Sequence, residues 1–419
     1  METFDLRSLL AGGSRSSREL TESAGVSRAT LMRAVRSLGD QVHVQGRARA
    51  TRYALRRTLP GLTTDEFPAF RVDARGEISP GDTLMTLAAD ESVWRPDDSI
   101  VDGLPIEIHD IAPRGFLARS FARRNPDLGL PEDVRSWSDH HILLAVTRRG
   151  EDLPGNLVIG RESFDRWQAL RHDETSIADF PALAEAALAG EHTGSSAGGE
   201  RPKFTCLHRG EHCIVKFSNA RTDNARRWQD LLKLEHLALE TLRDHGVDAA
   251  RSEIVDVSDW RFLIVYRFDR AGTRGRVRVL TLAAASQSEG KSWMEAALAL
   301  AGSGQLDADH LRRVALLDAY GAQIANNDRH LHNICVFPVD DRYDLTPAFD
   351  QVPMAYAPQA SGNMLDRAVE SARPTTDTLD VWDEATVLAR AYWRTAADAG
   401  LSQSMRDIAA THARRQAAV

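Results

Sequence analysis

Cysteine is scarce in this chain of 419 residues. Three are present, Cys206, Cys213 and Cys335, with no CxxC pair and an odd count. That excludes a disulfide framework and reads as reduced core thiols in a cytoplasmic protein. Apolar runs of about 18 residues are missing, so no membrane span is expected. The opening "METFDLRSLL" has acids where a secretory signal would carry lysines, and its apolar stretch is too short. No GxxxxGK[ST] occurs, which excludes a Walker phosphate loop. There are no internal repeats. What remains is ordinary for a soluble globular protein, 42% hydrophobic and 27% charged. The length suggests roughly two or three domains.

The net charge of -8 is unevenly spread. Residues 1–58 hold 11 arginines against 5 acids, a local charge of +6, which leaves -14 for the rest. A basic head on an acidic body points to a polyanion met by the head alone. Within it, "SRELTESAGVSRATLMRAVRSLG" reads as helix, tight turn, helix. Ser17 is placed to cap the first helix and Gly25 to make the turn. Ser27 caps a second helix that buries Leu31, Ala34, Val35 and Leu38 and ends at Gly39. A helix around Phe4 to Leu10 completes a three-helix core. "QVHVQGRARATRYALRR" then alternates like a β-hairpin loaded with arginine. This order resembles a winged helix-turn-helix domain. Arg28, Thr30 and Arg33 are then the candidates for base edges, the hairpin's Arg47, Arg49 and Arg52 lie along phosphate or the minor groove of duplex DNA, and Arg36 joins the DNA-binding set. A dimerisation or protein-docking module with a solvated basic face is the alternative.

Residues 59–69 contain "LPGLTTDEFP" and read as a linker. From Phe70 to about Gly160 the segments are short and strand-like, "HHILLAVTRRGEDLPGNLVIG" among them. Residues 162–190 are helical in pattern. "GEHTGSSAGGERPKF" (190–204) is a Gly/Ser loop, either a linker or a cradle of N–H groups for phosphates. A hairpin, "TCLHRGEHCIVKFS", carries Lys216 near the end of its second strand. The helix over 222–245 has a leucine-rich side, and Glu235 is the acid expected to point toward Lys216 rather than to solvent. "FLIVYRFDR" (262–270) is an apolar strand running into a hinge.

The helix "DADHLRRVALLDAYGAQIA" leads into "NNDRHLHN", residues 326–333. Asp328 and Asn333 stand at D-x-x-x-x-N spacing. In protein-kinase-type phosphotransferases such an Asp accepts the proton of the attacking hydroxyl, and such an Asn reaches a Mg²⁺ on the ATP phosphates. Asp350, after two further strand-like runs, supplies a second metal acid, and oxygen donors suit Mg²⁺. His330 and His332 lack ligands at zinc spacing, so local loop hydrogen bonding is the expectation, with Asn326 and His330 supporting the loop. The order is Gly-rich loop, strand Lys, helix Glu, hinge, catalytic loop, metal Asp. That is the inventory phosphoryl transfer requires, since its catalysis is mostly positioning and charge neutralisation.

"VDGLPIEIHDIAPRGFLAR", "SSAGGERPKF", "CIVKF", "YRFDR", "NNDRHLHN" and "LTPAFDQVP" together resemble the HipA-like serine/threonine kinase toxins of bacterial toxin–antitoxin systems, over about residues 70–400. The resemblance implies an α+β, two-lobed protein-kinase-like fold. An N-terminal lobe with a β-rich subdomain would span 70–268 and a helical C-terminal lobe 269–419. It implies ATP and Mg²⁺ as cofactors, with Gly198, Gly199, Lys216, Glu235, Tyr266 and Phe268 around the nucleotide. Asp328 would be the catalytic base, with Lys216 on the phosphates and Asn333 and Asp350 on the metal. It further implies silencing by autophosphorylation of Ser195, or else Ser196, and inhibition of translation through an aminoacyl-tRNA synthetase. Tyr266 stands where an acid is common. Such kinases ordinarily work with a separate DNA-binding antitoxin. A winged-helix-like head fused to the chain, over residues 1–58, resembles the YjjJ-like subgroup and fits autoregulation, with a homodimer as one arrangement on DNA. A transcriptional regulator whose kinase-like body only senses nucleotide, and a small-molecule phosphotransferase, are the alternatives.

Overall fold

The computed structural model describes residues 4–94, 99–189, 201–288, 290–359 and 361–417. Two compact units emerge, Met1–Arg114 with Phe121–Arg171, and Gly115–Ser120 with His172–Val419.

The first unit begins with α1 (Leu6–Leu10), β1 (Arg15–Ser16), α2 (Ser17–Ala24), α3 (Arg28–Leu38), β2 (Val42–Gln45) and β3 (Arg52–Leu55). The strands pair in the order β1–β3–β2. Ser16, not Ser17, caps α2. Its hydroxyl accepts from the Glu19 N–H at 3.2 Å while the Glu19 carboxylate accepts from the Ser16 N–H at 2.7 Å. Glu19 three residues on makes Ser16 the better cap, because the reciprocal pair satisfies two orphan donors. The Ser17 hydroxyl turns instead to Tyr53. Gly25 ends α2 at φ 62°, and Ser27 caps α3. Leu6, Leu10, Leu20, Leu31, Val35, Val42 and Tyr53 close the core. Arg28, Arg33 and Arg36 remain exposed on α3.

The stretch read as a linker lies against the next sheet. Arg56 holds Asp65 through two bonds and Glu66 through a third, and Leu59 and Leu62 pack on that sheet's core. Strands β4 (Glu66–Val72), β5 (Ile78–Thr86), β6 (Glu91–Trp94), β7 (Ser99–Asp102) and β8 (Leu157–Ile159) form it in the antiparallel order β7–β6–β5–β4–β8. The interval before β8 is helical rather than strand-like, with α4 (Ile106–Ile111), α5 (Gly115–Arg124) and α6 (Asp139–Arg149). In α6 the run Leu143, Leu144, Ala145, Val146, Thr147 is buried all round. Burial of that kind removes the 3.6-residue period that would tell a helix from a strand. Helix α7 (Arg161–Ala169) follows β8.

The second unit opens with α8 (Phe180–Leu188), β9 (Lys203–His208), β10 (Glu211–Asn219), α9 (Asp223–Asp244), β11 (Ser252–Val257) and β12 (Trp260–Tyr266). The strands form an antiparallel sheet, β11–β12–β10–β9. One face, with Cys213, Val215, Phe217, Phe262 and Ile264, packs on Phe180 of α8. Strand alternation turns Lys216 to the other face, toward α9. The remainder is β13 (Arg270–Ala271), β14 (Gly275–Arg276), β15 (Leu280–Thr281), α10 (Leu282–Ser286), α11 (Trp293–Gly302), α12 (Ala308–Gln323), β16 (Cys335–Val339), β17 (Arg342–Leu345), α13 (Trp382–Ala397) and α14 (Gln403–Ala417). Helices α9 and α11–α14 share one core, with Trp293, Tyr320, Tyr356, Tyr392 and Trp393 fully buried. Among the described residues no helix is long and apolar enough to cross a membrane.

Candidate active site

Lys216 is the centre of the site. It sits on β10 and is 8% exposed. Its ammonium donates to Glu235 Oε1 at 2.6 Å and also to Asp350 Oδ1. Thr222 caps α9 through its hydroxyl, and further along the helix Glu235 is 2% exposed. Burial works against the charge of Lys216, but Asp350 and Glu235 outweigh it and raise the lysine above its ordinary range. Burial raises Glu235, with Lys216 pulling the other way. Asp350 is held below the ordinary carboxylate value, because Lys216 and Lys203 outweigh its own burial. A charge buried this deeply persists only when it is paired, and the opposed shifts of Lys216 and Asp350 favour the charged form of both.

Asp350 follows β17 at φ 57°. Phe349 beside it meets the ring of Phe268 at 5.6 Å, which ties the chain just after β12 to Asp350. Tyr266 faces elsewhere. Its side chain belongs to the α8 face of the sheet, its hydroxyl donates to Glu253 at 2.7 Å, and Arg251 lies over its ring at 3.7 Å.

The loop after α12 is held from several sides. The Asn326 side chain accepts from the Asp328 N–H at 3.0 Å, and Asn333 Nδ2 donates to the Asp328 carbonyl at 2.9 Å. The carbonyl of His330 accepts from Trp293 Nε1 at 2.8 Å, and its Nδ1 accepts from the His332 N–H at 3.2 Å. Arg329 folds back so that Nε meets Asp318 at 2.7 Å and Nη1 meets the Asn326 carbonyl. These bonds leave the Asp328 carboxylate half exposed. The segment after Asp350 joins the same loop, with the Ala355 N–H on the Ala325 carbonyl at 3.1 Å. The amide oxygen of Asn333 and the carboxylate of Asp350 are hard oxygen donors of the kind Mg²⁺ takes.

Ser195, Ser196, Gly198 and Gly199 lie outside the described residues, as does the side chain of Arg49. Arg28, Thr30, Arg33 and Arg36 share α3, and Arg47 lies in the turn after β2. Arg52 is committed to the Ser14 carbonyl and hydroxyl at 2.7 and 2.9 Å. Lys203 was missed. The two-residue turn Arg209–Gly210, both at positive φ, fixes the hairpin register and sets Lys203 opposite Lys216, on the same face. That position could have been counted from the turn. Arg227 and Arg329 left no local signal. Burial pushes the Cys206 and Cys213 thiols up to about 12, so both stay protonated at neutral pH.

Comparison with known proteins finds relatives along most of the chain. Residues 63–168 match the "YjjJ-like toxin, middle domain" family and residues 195–419 the "HipA-like C-terminal domain" family. Toxin YjjJ of Escherichia coli K12 is 34% identical over 97% of this chain and 95% of its own length. The HipA–HipB–operator DNA complex of Shewanella oneidensis contains a chain that superposes with TM-score 0.54 at 14% identity, over 83% of this chain and 96% of that one. By identity along nearly its whole length, and by a family match that takes in Lys216, Glu235, Asp328, Asn333 and Asp350, this chain belongs to the HipA-like toxins, alongside YjjJ.

Proposed function

We propose that this protein is an ATP- and Mg²⁺-dependent serine/threonine protein kinase of the toxin type, with a DNA-binding head. The observation that carries the reading is the buried Lys216 held between Glu235 and Asp350, in the same unit as a loop that presents Asp328. Phosphoryl transfer asks the protein for positioning and for positive charge at the phosphates, and little else. Lys216 supplies that charge and Glu235 fixes its direction. The half-exposed Asp328 accepts the proton of the attacking hydroxyl. Asn333 and Asp350 would hold Mg²⁺, which with ATP supplies charge neutralisation at the transferring phosphoryl group. Ser195, with Ser196 as second choice, is the proposed site of self-silencing. An aminoacyl-tRNA synthetase is the protein substrate that the family resemblance supports. The head is proposed as a winged helix-turn-helix, on the support of α2, α3 and the β2–β3 hairpin and of the exposed arginines of α3.

The test is incubation with Mg²⁺ and radiolabelled ATP beside Asp328→Ala, with phosphate mapped by mass spectrometry. Label on Ser195 or Ser196 in the parent and none in the variant is the expected result. Label in both would remove Asp328 from its role. Nucleotide bound without any label would leave a nucleotide-sensing regulator.

A further inference from the structure

Arg227 lies two turns before Glu235 on α9 and is 4% exposed. Every bond recorded for its guanidinium goes to chain far away in sequence. Nη1 donates to the carbonyls of Tyr356 at 3.3 Å and Leu365 at 3.0 Å. Nη2 donates to Asp366 Oδ1 at 2.6 Å and to the Ser404 hydroxyl at 3.1 Å. Ser404 in turn donates to the same Asp366 oxygen at 2.8 Å. One turn along α9, Asp230 accepts from the Ser402 N–H at 3.0 Å and from its hydroxyl at 2.5 Å. Tyr356 is itself immobilised, with its hydroxyl 2.5 Å from His412 Nε2.

Apart from Ser404 on α14, these partners have one thing in common: Tyr356, Leu365 and Asp366 belong to the segment that starts at Asp350. That segment is pinned at Asp350 to Lys216, at Ala355 to the loop that carries Asp328, and at Tyr356 and Leu365–Asp366 to Arg227. Burying a guanidinium is costly unless its partners are fixed, so the place where those partners sit defines its task. In kinase-type enzymes the Lys–Glu pair and the metal Asp must be assembled together. The usual device is a phosphate added to the segment after that Asp, which then pairs with arginine. Here a carboxylate of the chain already occupies the position opposite the arginine.

We propose that Arg227 is a positioning residue, and that its clamp on Asp366 stands in for activation-segment phosphorylation. The clamp locks α9 and the 350–366 segment in the assembled arrangement without any modification. This rests on the kinase reading only for its effect on rate; the clamp itself is a statement about two segments and can be measured without activity.

The experiment compares the full chain with Arg227→Met and with Asp366→Asn. The second variant alters a largely exposed carboxylate and serves if the first fails to fold. Amide hydrogen exchange follows residues 227–235 and 351–366, with α8 as internal control. The expected result is joint loss of protection in both segments, about tenfold or more, with α8 unchanged. Transfer of phosphate from Mg²⁺-ATP is measured alongside. Where the parent transfers, kcat should fall about tenfold or more while the KM for ATP moves by less than about threefold, since misplacement rather than lost nucleotide contact is the defect. Protection lost in only one segment, or in neither, overturns the clamp. So does a variant that transfers phosphate at the parental rate. If the parent transfers none, the kinase reading fails, and the exchange result alone decides the clamp.

Discussion

Asp350 adopts a left-handed backbone, φ 57°, where a side chain other than glycine is tolerated at a cost of about 1 kcal/mol. The ammonium of Lys216 is what holds it there. A second close fit lies on α12. A Cβ added at Gly321 would come within 2.6 Å of Arg329 Cδ, and Arg329 cannot swing aside without releasing Asp318 and the Asn326 carbonyl. Alanine in place of a helical glycine gains up to about 1 kcal/mol from propensity, while overpacking costs about 1–3 kcal/mol. The second effect should win. Gly321→Ala is expected to lose about 1–2 kcal/mol in denaturant unfolding and to slow phosphate transfer through the displaced loop. A variant more stable than the parent, with transfer unchanged, would show that the arginine stem yields freely.

Helix α14 bears a pH dependence of its own. His412 is 3% exposed, stacks on Trp393 at 4.4 Å and meets the Tyr356 hydroxyl. Burial, helped by Arg415, pushes it down to about 4. The unfolded chain, with an ordinary histidine near 6.5, then binds the proton more readily than the folded one. The stability this group contributes is complete above pH 6.5 and is lost as pH falls toward 4. Between pH 7 and 5 the loss is about 2 kcal/mol by linkage. His412→Gln should flatten that slope in unfolding curves taken across the range. His236, also pushed down to about 4 by burial, would keep part of it. An unchanged slope would mean that His412 titrates normally. At this scale, legibility in the sequence followed distance along the chain. Asp328 and Asn333 are five residues apart, and the Lys216 hairpin and the Glu235 helix are adjacent, so spacing alone brought them into view. The helix 139–149 was hidden because its burial has no polar side. Arg227 was hidden because its partners lie 129 to 177 residues away.

Across the whole molecule the charge divides by task. Eleven arginines in the first 58 residues gave the head its +6, but the structure shows that some of them hold the first unit together. Arg52 is spent on Ser14, and Arg56 on Asp65 and Glu66. Arg28, Arg33, Arg36 and Arg47 are exposed and, on the proposed DNA-binding reading, are the candidates to neutralise phosphate. Four such contacts would give a salt slope near -4 on a log–log plot, so raising salt from about 50 to 200 mM should weaken duplex DNA binding roughly a hundredfold. Replacing Arg28, Arg33 and Arg36 together by Ala should cut that slope by about 3, since each lost contact frees one counterion fewer. Arg52→Ala should behave differently. It loosens β1 and β3 and lowers the melting temperature, yet leaves the slope as it was. Fluorescence anisotropy with a short duplex, titrated at several salt concentrations, reads both effects. A parent slope near zero, or the same slope in the triple variant as in the parent, would leave the head without its DNA and return it to a protein-docking role.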